Sequence, residues 1–257
     1  MTSIHPSAIV HEGAQLGADV EIGPYSIVGP NVKLGDRAKV MAQVFLDGFL
    51  SIGADCTIFP FASLGSKTQD LKYKGGKTYV EIGSKTTIRE YVTINSGTVD
   101  GEVTRVGSGA LIMAYCHVAH GCTVGDRVIM ANQASLAGDV LVEDDVVIGG
   151  MTGIHQFTRI GGFAMVGGMV KVTQDVPPFM LVDGTPAAVF GINSVKLQRL
   201  NVPEDTQSLL KKAYRMLYRD GLSTRQALDK MKAELTMSPE LERLIHFIET
   251  SKRGIIK

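Results

Sequence analysis

Tryptophan is absent, and aromatic residues make up only 6% of the 257 positions, so no large aromatic core is expected. Cysteine is scarce as well. The three present, Cys56, Cys116 and Cys122, are odd in number and scattered, which argues against a disulfide framework and for reduced thiols in a cytoplasm. No stretch approaches the roughly 18 continuous apolar residues that span a bilayer, so no transmembrane segment is expected. The first residues, Met1 to Pro6, show no basic segment followed by an apolar run, so no secretory leader is expected either. Net charge is zero, and no nucleic-acid partner is expected. The charge is nevertheless uneven: residues 1–191 carry 13 Lys+Arg against 18 Asp+Glu, and residues 192–257 carry 13 against 8. The basic tail suits either an acidic partner or solvated helix faces.

What is abundant is glycine, 29 residues, and hydrophobic side chains, 44%. Both belong to a repeat. Stepping by six from Ile4 gives Val10, Leu16, Ile22 and Val28, and the series runs on to Val172. Of 29 positions in this phase 25 are Ile, Leu or Val; Met130 is one more, leaving Asp70, Gly76 and Asp100. A glycine often follows the aliphatic residue, as at Gly17, Gly23, Gly125 and Gly161, where a corner turns sharply or calls for positive φ. Four residues after the aliphatic one sits a small or β-branched residue such as Ala8, Ala14, Val20 or Ala134. A helix cannot satisfy a period of six; short strands separated by tight turns can. The reading is a mainly β fold, a parallel β-helix whose coils stack about 4.8 Å apart. The pattern resembles the hexapeptide-repeat acyltransferases. That resemblance implies a left-handed triangular prism with three hexapeptides per coil, against the usual crossover hand.

The repeat fails over residues 66–81 and 97–105, which should loop out of the prism; long loops on a rigid scaffold tend to carry function. It ends near Asp175-Val176-Pro177-Pro178. After Gly191 a helical period takes over. Pro203 before Glu204–Arg219, a capping box at Ser223 and Gln226, and Ser238-Pro239 mark three helices. The expected organisation is therefore a β-helix over 1–190 and a helical domain over 191–257.

Only the first and fifth residues of each hexad should face inward. All three cysteines fall on the fifth, so they read as packing residues rather than nucleophiles. His117 and His120 face outward. Whole-coil steps from His120 reach Gly138 and Gln156, with His155 alongside, so one outer face gathers three histidines, a glutamine and a glycine. A histidine near its ordinary pKa is the natural general base at neutral pH. His5, His11 and His246 read as ordinary surface residues. A convex face makes a poor pocket, so a cleft calls for a neighbouring subunit.

Three segments sharpen the resemblance: Thr68-Gln69-Asp70-Leu71-Lys72-Tyr73, His117-Val118-Ala119-His120, and Gly149 to Phe157. With the tail included, the chain resembles the bacterial UDP-N-acetylglucosamine O-acyltransferase family over its whole length. That family transfers an (R)-3-hydroxyacyl chain from acyl carrier protein to the sugar 3-hydroxyl, opening lipid A biosynthesis. The resemblance implies His120 as general base and the Gly138 N–H as oxyanion donor. It implies Gln69, Asp70, Lys72, His117, His155, Gln156 and Arg199 around the sugar nucleotide. It places Asn193, Gly168 and Met165 along the phosphopantetheine arm and acyl chain. It also implies a cytoplasmic homotrimer with active sites between subunits, no cofactor and no metal, the acyl group arriving on the carrier protein's phosphopantetheine.

The chain departs from that pattern in five places. The family usually has Asp after its base, where Gly121 stands here; Asp139, one coil on, is the candidate orienting carboxylate and stands where a histidine is common. Tyr115, Leu200 and Asn95 also replace commoner residues. Two enzymatic alternatives stay open, beside a non-catalytic scaffold or carrier-binding prism. One is a related prism enzyme acylating a 3-amino UDP-sugar. The other is a zinc-dependent prism like the γ-class carbonic anhydrases, for which three histidines are a plausible ligand set.

Overall fold

The computed structural model describes all 257 residues. Short parallel strands, most of two residues, stack into three sheets of 11, 9 and 8 strands. These form the faces of a left-handed triangular prism. Ser3↔Glu21 and Ile4↔Ile22 begin the first face, Ile9↔Ile27 the second and Gln15↔Lys33 the third. Each partner lies three hexads on, one full coil.

The two predicted loops change that step without changing the phase. Strand Phe49–Ile52 pairs with Tyr79–Ile82, five hexads on, and the latter pairs with Val103–Val106, four hexads on. The insertions are thus two whole hexads and one whole hexad, which is why the aliphatic series resumes in step. Both leave the same edge, between the second and third faces, on successive coils. Their flanking strands reach further than the pattern suggests: Ser63–Ser66, Tyr79–Ile82 and Val103–Val106 each run four residues.

Inside, the first and fifth hexad positions fill the prism. Leu46, Ile58, Ile94, Val118 and Leu136 are fully buried, as are Cys56, Cys116 and Cys122. Some buried hydroxyls at the fifth position are paired to backbone: Ser26 donates to the Met41 carbonyl at 2.6 Å and Thr152 to that of Gly167 at 2.7 Å, while the Thr158 hydroxyl has no partner.

The corners differ from the sequence expectation in one respect. Positive φ belongs to the fourth position, occupied by non-glycine residues such as Tyr25, Arg37, Tyr115 (62°), Asp139 (59°) and Phe157 (63°). At many corners the fifth-position N–H closes the turn onto the second-position carbonyl, as in Cys116 to Met113 at 3.3 Å around Tyr115. With the positive φ this is a type II turn, which favours proline at its second residue; Pro24 and Pro60 sit there, before Tyr25 and Phe61. A left-handed L-residue costs about 1–2 kcal/mol. The fourth-position N–H offsets this by bonding the preceding coil, Asp139 to the His120 carbonyl at 2.9 Å and Phe157 to that of Gly138 at 3.1 Å.

The second-position glycines answer a different constraint. A Cβ on Gly23 would lie 2.7 Å from the Met41 carbonyl carbon, and one on Gly149 2.4 Å from that of Gly167. Coils pass too closely there for any side chain.

The prism closes with a hairpin invisible in the hexad pattern. Met180–Asp183 extends the first face in parallel, and Ala188–Ile192 returns antiparallel to it. Four helices follow: α1 (Ser194–Arg199), α2 (Glu204–Tyr218), α3 (Thr224–Glu234) and α4 (Pro239–Glu249). The Ser223/Gln226 capping box forms, and Ser238 caps α4; the short α1 has no sequence signal. Leu210, Met231, Leu244 and Ile256 join the prism interior in one continuous core. The tail is pinned by Arg243 to Glu143 at 2.7 Å, and by Arg159 over the Phe247 ring.

Close approach makes a testable claim. Gly23→Ala should lower stability by about 1–3 kcal/mol through overpacking. Gly153→Ala, whose Cβ meets nothing within 4 Å, should stay within about 0.5 kcal/mol. Equal thermal-unfolding shifts for the two variants would refute the account.

Candidate active site

The loop-bearing edge holds a cleft of about 450 Å³. One wall is the first loop, with Gln69, Asp70 and Lys72; the floor carries His117, His120 and Gln156, and Asn95 closes one end. The loop is shaped by its own side chains. The Thr68 hydroxyl accepts from the Asp70 N–H at 3.1 Å, and the Asp70 carboxylate accepts from the Lys72 N–H at 2.9 Å. That turn aims the second Asp70 oxygen at His120 Nε2, 3.7 Å away.

His120 occupies the third hexad position, and its ring lies against Gly138 one coil further. A Cβ on Gly138 would sit 2.3 Å from His120 Cε1 and 2.4 Å from Nε2. Glycine at 138 therefore admits the imidazole. It leaves a second consequence. Third-position N–H groups stand outside the coil-to-coil ladder. On the edge between the third and first faces a side chain from the next coil caps them: Asp36 caps Ala18 at 2.8 Å, Asp126 caps Ser108 at 2.7 Å and Asp144 caps Asp126 at 2.9 Å. On the cleft edge neither His120 nor Gly138 receives such a cap, so the Gly138 N–H is free to donate to a ligand.

Nδ1 of His120 is buried without a hydrogen-bond partner. Around the ring stand two carboxylates, Asp139 from the next coil and Glu102 from the end of the second loop. Donor atoms of Glu102, His120 and Asp139 lie within 4.8 Å of one another. These three are the set that could hold a divalent cation. Burial pushes the Asp139 carboxyl above its usual range; His120 opposes this, while Glu102 and Asp70 add to it. His117 is held below the ordinary histidine value by burial and then by His120, so its ring favours the neutral form. Its Nδ1 pairs with the Thr93 hydroxyl at 2.7 Å.

Other candidates lie elsewhere in the single chain. His155 faces the tail, 3.3 Å from Arg253, so the three histidines considered for zinc do not converge. Asn193 caps α1 through Lys196 and donates to the Phe163 carbonyl at 2.8 Å. Arg199 ends α1. Met165 lies on the first face, and Gly168 on the edge between the first and second faces, where a Cβ would meet the Gly150 carbonyl at 3.2 Å. Glu102 escapes the sequence reading although its signal is available: following the column forward from His120 gives Gly138 and Gln156, and one coil backward gives Glu102.

The cysteines take no part. Burial pushes the Cys116 thiol to about 11 and that of Cys122 to about 12, far above the range of a nucleophilic thiolate. Iodoacetamide at pH 8 should leave all three unlabelled in the native protein and label all three in guanidinium. Comparable labelling rates in the two states would contradict this packing. For the site itself, Gly138→Ala should expel the His120 ring and cut turnover by about 10²-fold with the melting temperature nearly unchanged. Wild-type kinetics in that variant would show that the ring does not work from its seat on Gly138.

Comparison with known proteins bears on the family and the fold. Residues 175–256 match the family model described as UDP-N-acetylglucosamine O-acyltransferase, domain 2. Residues 1–36, 13–48 and 104–138 match the bacterial transferase hexapeptide model. The acyl-[acyl-carrier-protein]–UDP-N-acetylglucosamine O-acyltransferase of Thermodesulfovibrio yellowstonii is 50% identical over 100% of both chains. Among solved structures, the UDP-N-acetylglucosamine acyltransferase of Bacteroides fragilis superposes with a TM-score of 0.97 at 40% identity, covering 99% of this chain and 100% of the other. The Acinetobacter baumannii enzyme gives 0.95 at 42% identity, covering 99% of each. On its sequence, its coils and its tail alike, this chain belongs to the UDP-N-acetylglucosamine O-acyltransferase family.

Proposed function

We propose that the protein moves an (R)-3-hydroxyacyl chain from the thioester of acyl carrier protein to the 3-hydroxyl of UDP-N-acetylglucosamine, the first step of lipid A biosynthesis. The observation that carries this reading is the His120 ring on Gly138, beside an uncapped N–H, in a cleft walled by the Asp70/Lys72 loop. His120 takes the proton from the sugar 3-hydroxyl as its oxygen attacks the thioester carbon. The carbonyl oxygen becomes an oxyanion and accepts a hydrogen bond from the Gly138 N–H. Collapse breaks the C–S bond, and the imidazolium returns its proton to the phosphopantetheine thiolate. The ester and the free thiol are the products. No cofactor enters these steps.

Within this reading Gln69, Asp70, Lys72, His117 and Gln156 hold the sugar nucleotide, the Lys72 ammonium suiting phosphate. Asp139 stabilises the imidazolium. His155, Arg199, Asn193, Gly168 and Met165 lie outside the single-chain cleft, so their assigned contacts with nucleotide, pantetheine and acyl chain call for a site completed by a neighbouring subunit. A homotrimer in the cytoplasm is part of the proposal. Exposed Tyr25, Phe61, Tyr91 and Tyr115 on the neighbouring edge, the last three stacked at 4.8 Å, offer apolar area for such contacts. No helix is long and apolar enough to cross a membrane.

The decisive variant is His120→Ala. Turnover with acyl carrier protein thioesters and UDP-N-acetylglucosamine should fall by ~10²-fold or more, while sedimentation still reports a trimer. Near-normal activity would remove His120 from the role of base. Asp139→Asn should shift the acid limb of the kcat/KM profile to lower pH, because losing a negative neighbour lowers the histidine pKa; an unmoved limb rejects the orienting role. A mass-spectrometric screen of donor chain lengths against 3-hydroxy and 3-amino UDP-sugars decides the acceptor. Stoichiometric zinc needed for turnover would overturn the metal-free scheme.

A further inference from the structure

Gly121, the residue after His120, has φ +66°, and a Cβ built on it would fall 2.3 Å from an Asp139 carboxylate oxygen and 2.9 Å from a Glu102 one. Two acids from other coils thus fill the volume that a side chain at 121 would claim. Glu102 is not a loose surface group. It is half-buried at the end of the second loop, its N–H donates to the Val99 carbonyl at 3.0 Å, and its carbonyl accepts from Tyr79 at 2.9 Å. One carboxylate oxygen accepts from the Thr98 N–H and, at 3.3 Å, from that of Val99. The other oxygen is the one turned toward Gly121.

From this geometry we infer that Glu102 is a positioning residue for His120, acting with Asp139 as a two-carboxylate seat that the second loop supplies. The inference rests on His120 being the base. When His120 takes the substrate's proton, the new positive charge forms within 4.8 Å of both acids, and opposite charges at that range attract. The groups facing His120 are Asp70 and Lys72 from the first loop, Glu102 from the second, His117 from its own coil and Asp139 from the next. Asp70 is committed to the loop turn through Lys72, and the Asp139 carboxyl is made harder to ionise by burial. Glu102, anchored by two backbone N–H groups, is held against the ring independently of Asp139.

Glu102→Gln is the test, because the amide oxygen can still accept from Thr98 and Val99 and so keeps the loop's shape. Its kcat should fall about 10-fold, and the acid limb of its pH–rate profile should move down by about one unit, with KM for the UDP-sugar little changed. Asp139→Asn in addition should lower kcat by less than the product of the two single effects, since both act through one ring. A wild-type pH profile and kcat in Glu102→Gln, alongside an inactive His120→Ala, overturns the inference and leaves the base assignment standing. Activity in His120→Ala instead removes the base itself. If Glu102→Gln raises KM alone, Glu102 is a wall of the cleft and not a positioning residue.

Discussion

The whole molecule hangs on the hydrogen-bonded step from one coil to the next. Because each coil repeats after three hexads outside the two loops, strands stack on their partners in register, with shifts only beside the first loop and in the closing hairpin, and corner lies over corner. The step holds through the turns as well as the faces, since fourth-position residues in the left-handed region donate to the preceding coil. Their strain of about 1–2 kcal/mol each is tolerated because the stack over-determines it. Side chains at one hexad position therefore line up about 4.8 Å apart along the prism. Columns are the unit of structure here, and chemistry is written along a column.

The columns of third-position residues show how the same geometry takes different roles. Between the third and first faces, Asp36, Asp126 and Asp144 turn back to satisfy the N–H one coil earlier, and the adjacent fourth-position column alternates Asp19, Arg37, Asp55 and Lys85. Arg37 and Asp55 meet there at 2.6 Å. That edge is closed on itself. Between the second and third faces the column reads Glu102, His120, Gly138 and Gln156, and nothing caps the free N–H at 138. A corner that the next coil caps on the edge between the third and first faces is here left for a ligand, and both loops rise from it to give the convex surface a wall.

Much of this is legible in the sequence because a period of six leaves few choices. Which residues point inward, where the loops depart and where α2, α3 and α4 begin all follow from spacing, capping and turn residues. The reason for the glycines does not follow. Glycine after the aliphatic residue suggests positive φ, yet Gly23 and Gly149 are needed because the next backbone passes within 2.7 Å of where a Cβ would be; local sequence carries no record of a neighbour a full coil away. The closing hairpin over 180–192 and α1 leave no pattern for a related reason: each is fixed by docking on the last coil. The meeting of His120 and Gly138 follows from coil arithmetic, while their ring-on-glycine contact needs coordinates. The family resemblance assigns Asp70 to the sugar nucleotide, and its 3.7 Å approach to His120 cannot be read from a loop outside the repeat.

The loops obey the same arithmetic, and this constrains how the site can be built. Within the coils a slip of one residue would turn inward-facing residues outward, so the chain must rejoin the prism in register after each loop. Insertions of two hexads and of one keep the phase, so a segment can leave the prism and rejoin it with the column intact. Glu102 is the last residue before the third face resumes at Val103, and for that reason it stands one coil below His120 despite belonging to a loop. Placing an acid there requires the loop to end on the column, where the third face takes up its pairing again. An acid directly after the base and an acid delivered by a loop are thus two ways to reach one volume, and with Asp139 and Glu102 already in it, position 121 has room only for glycine.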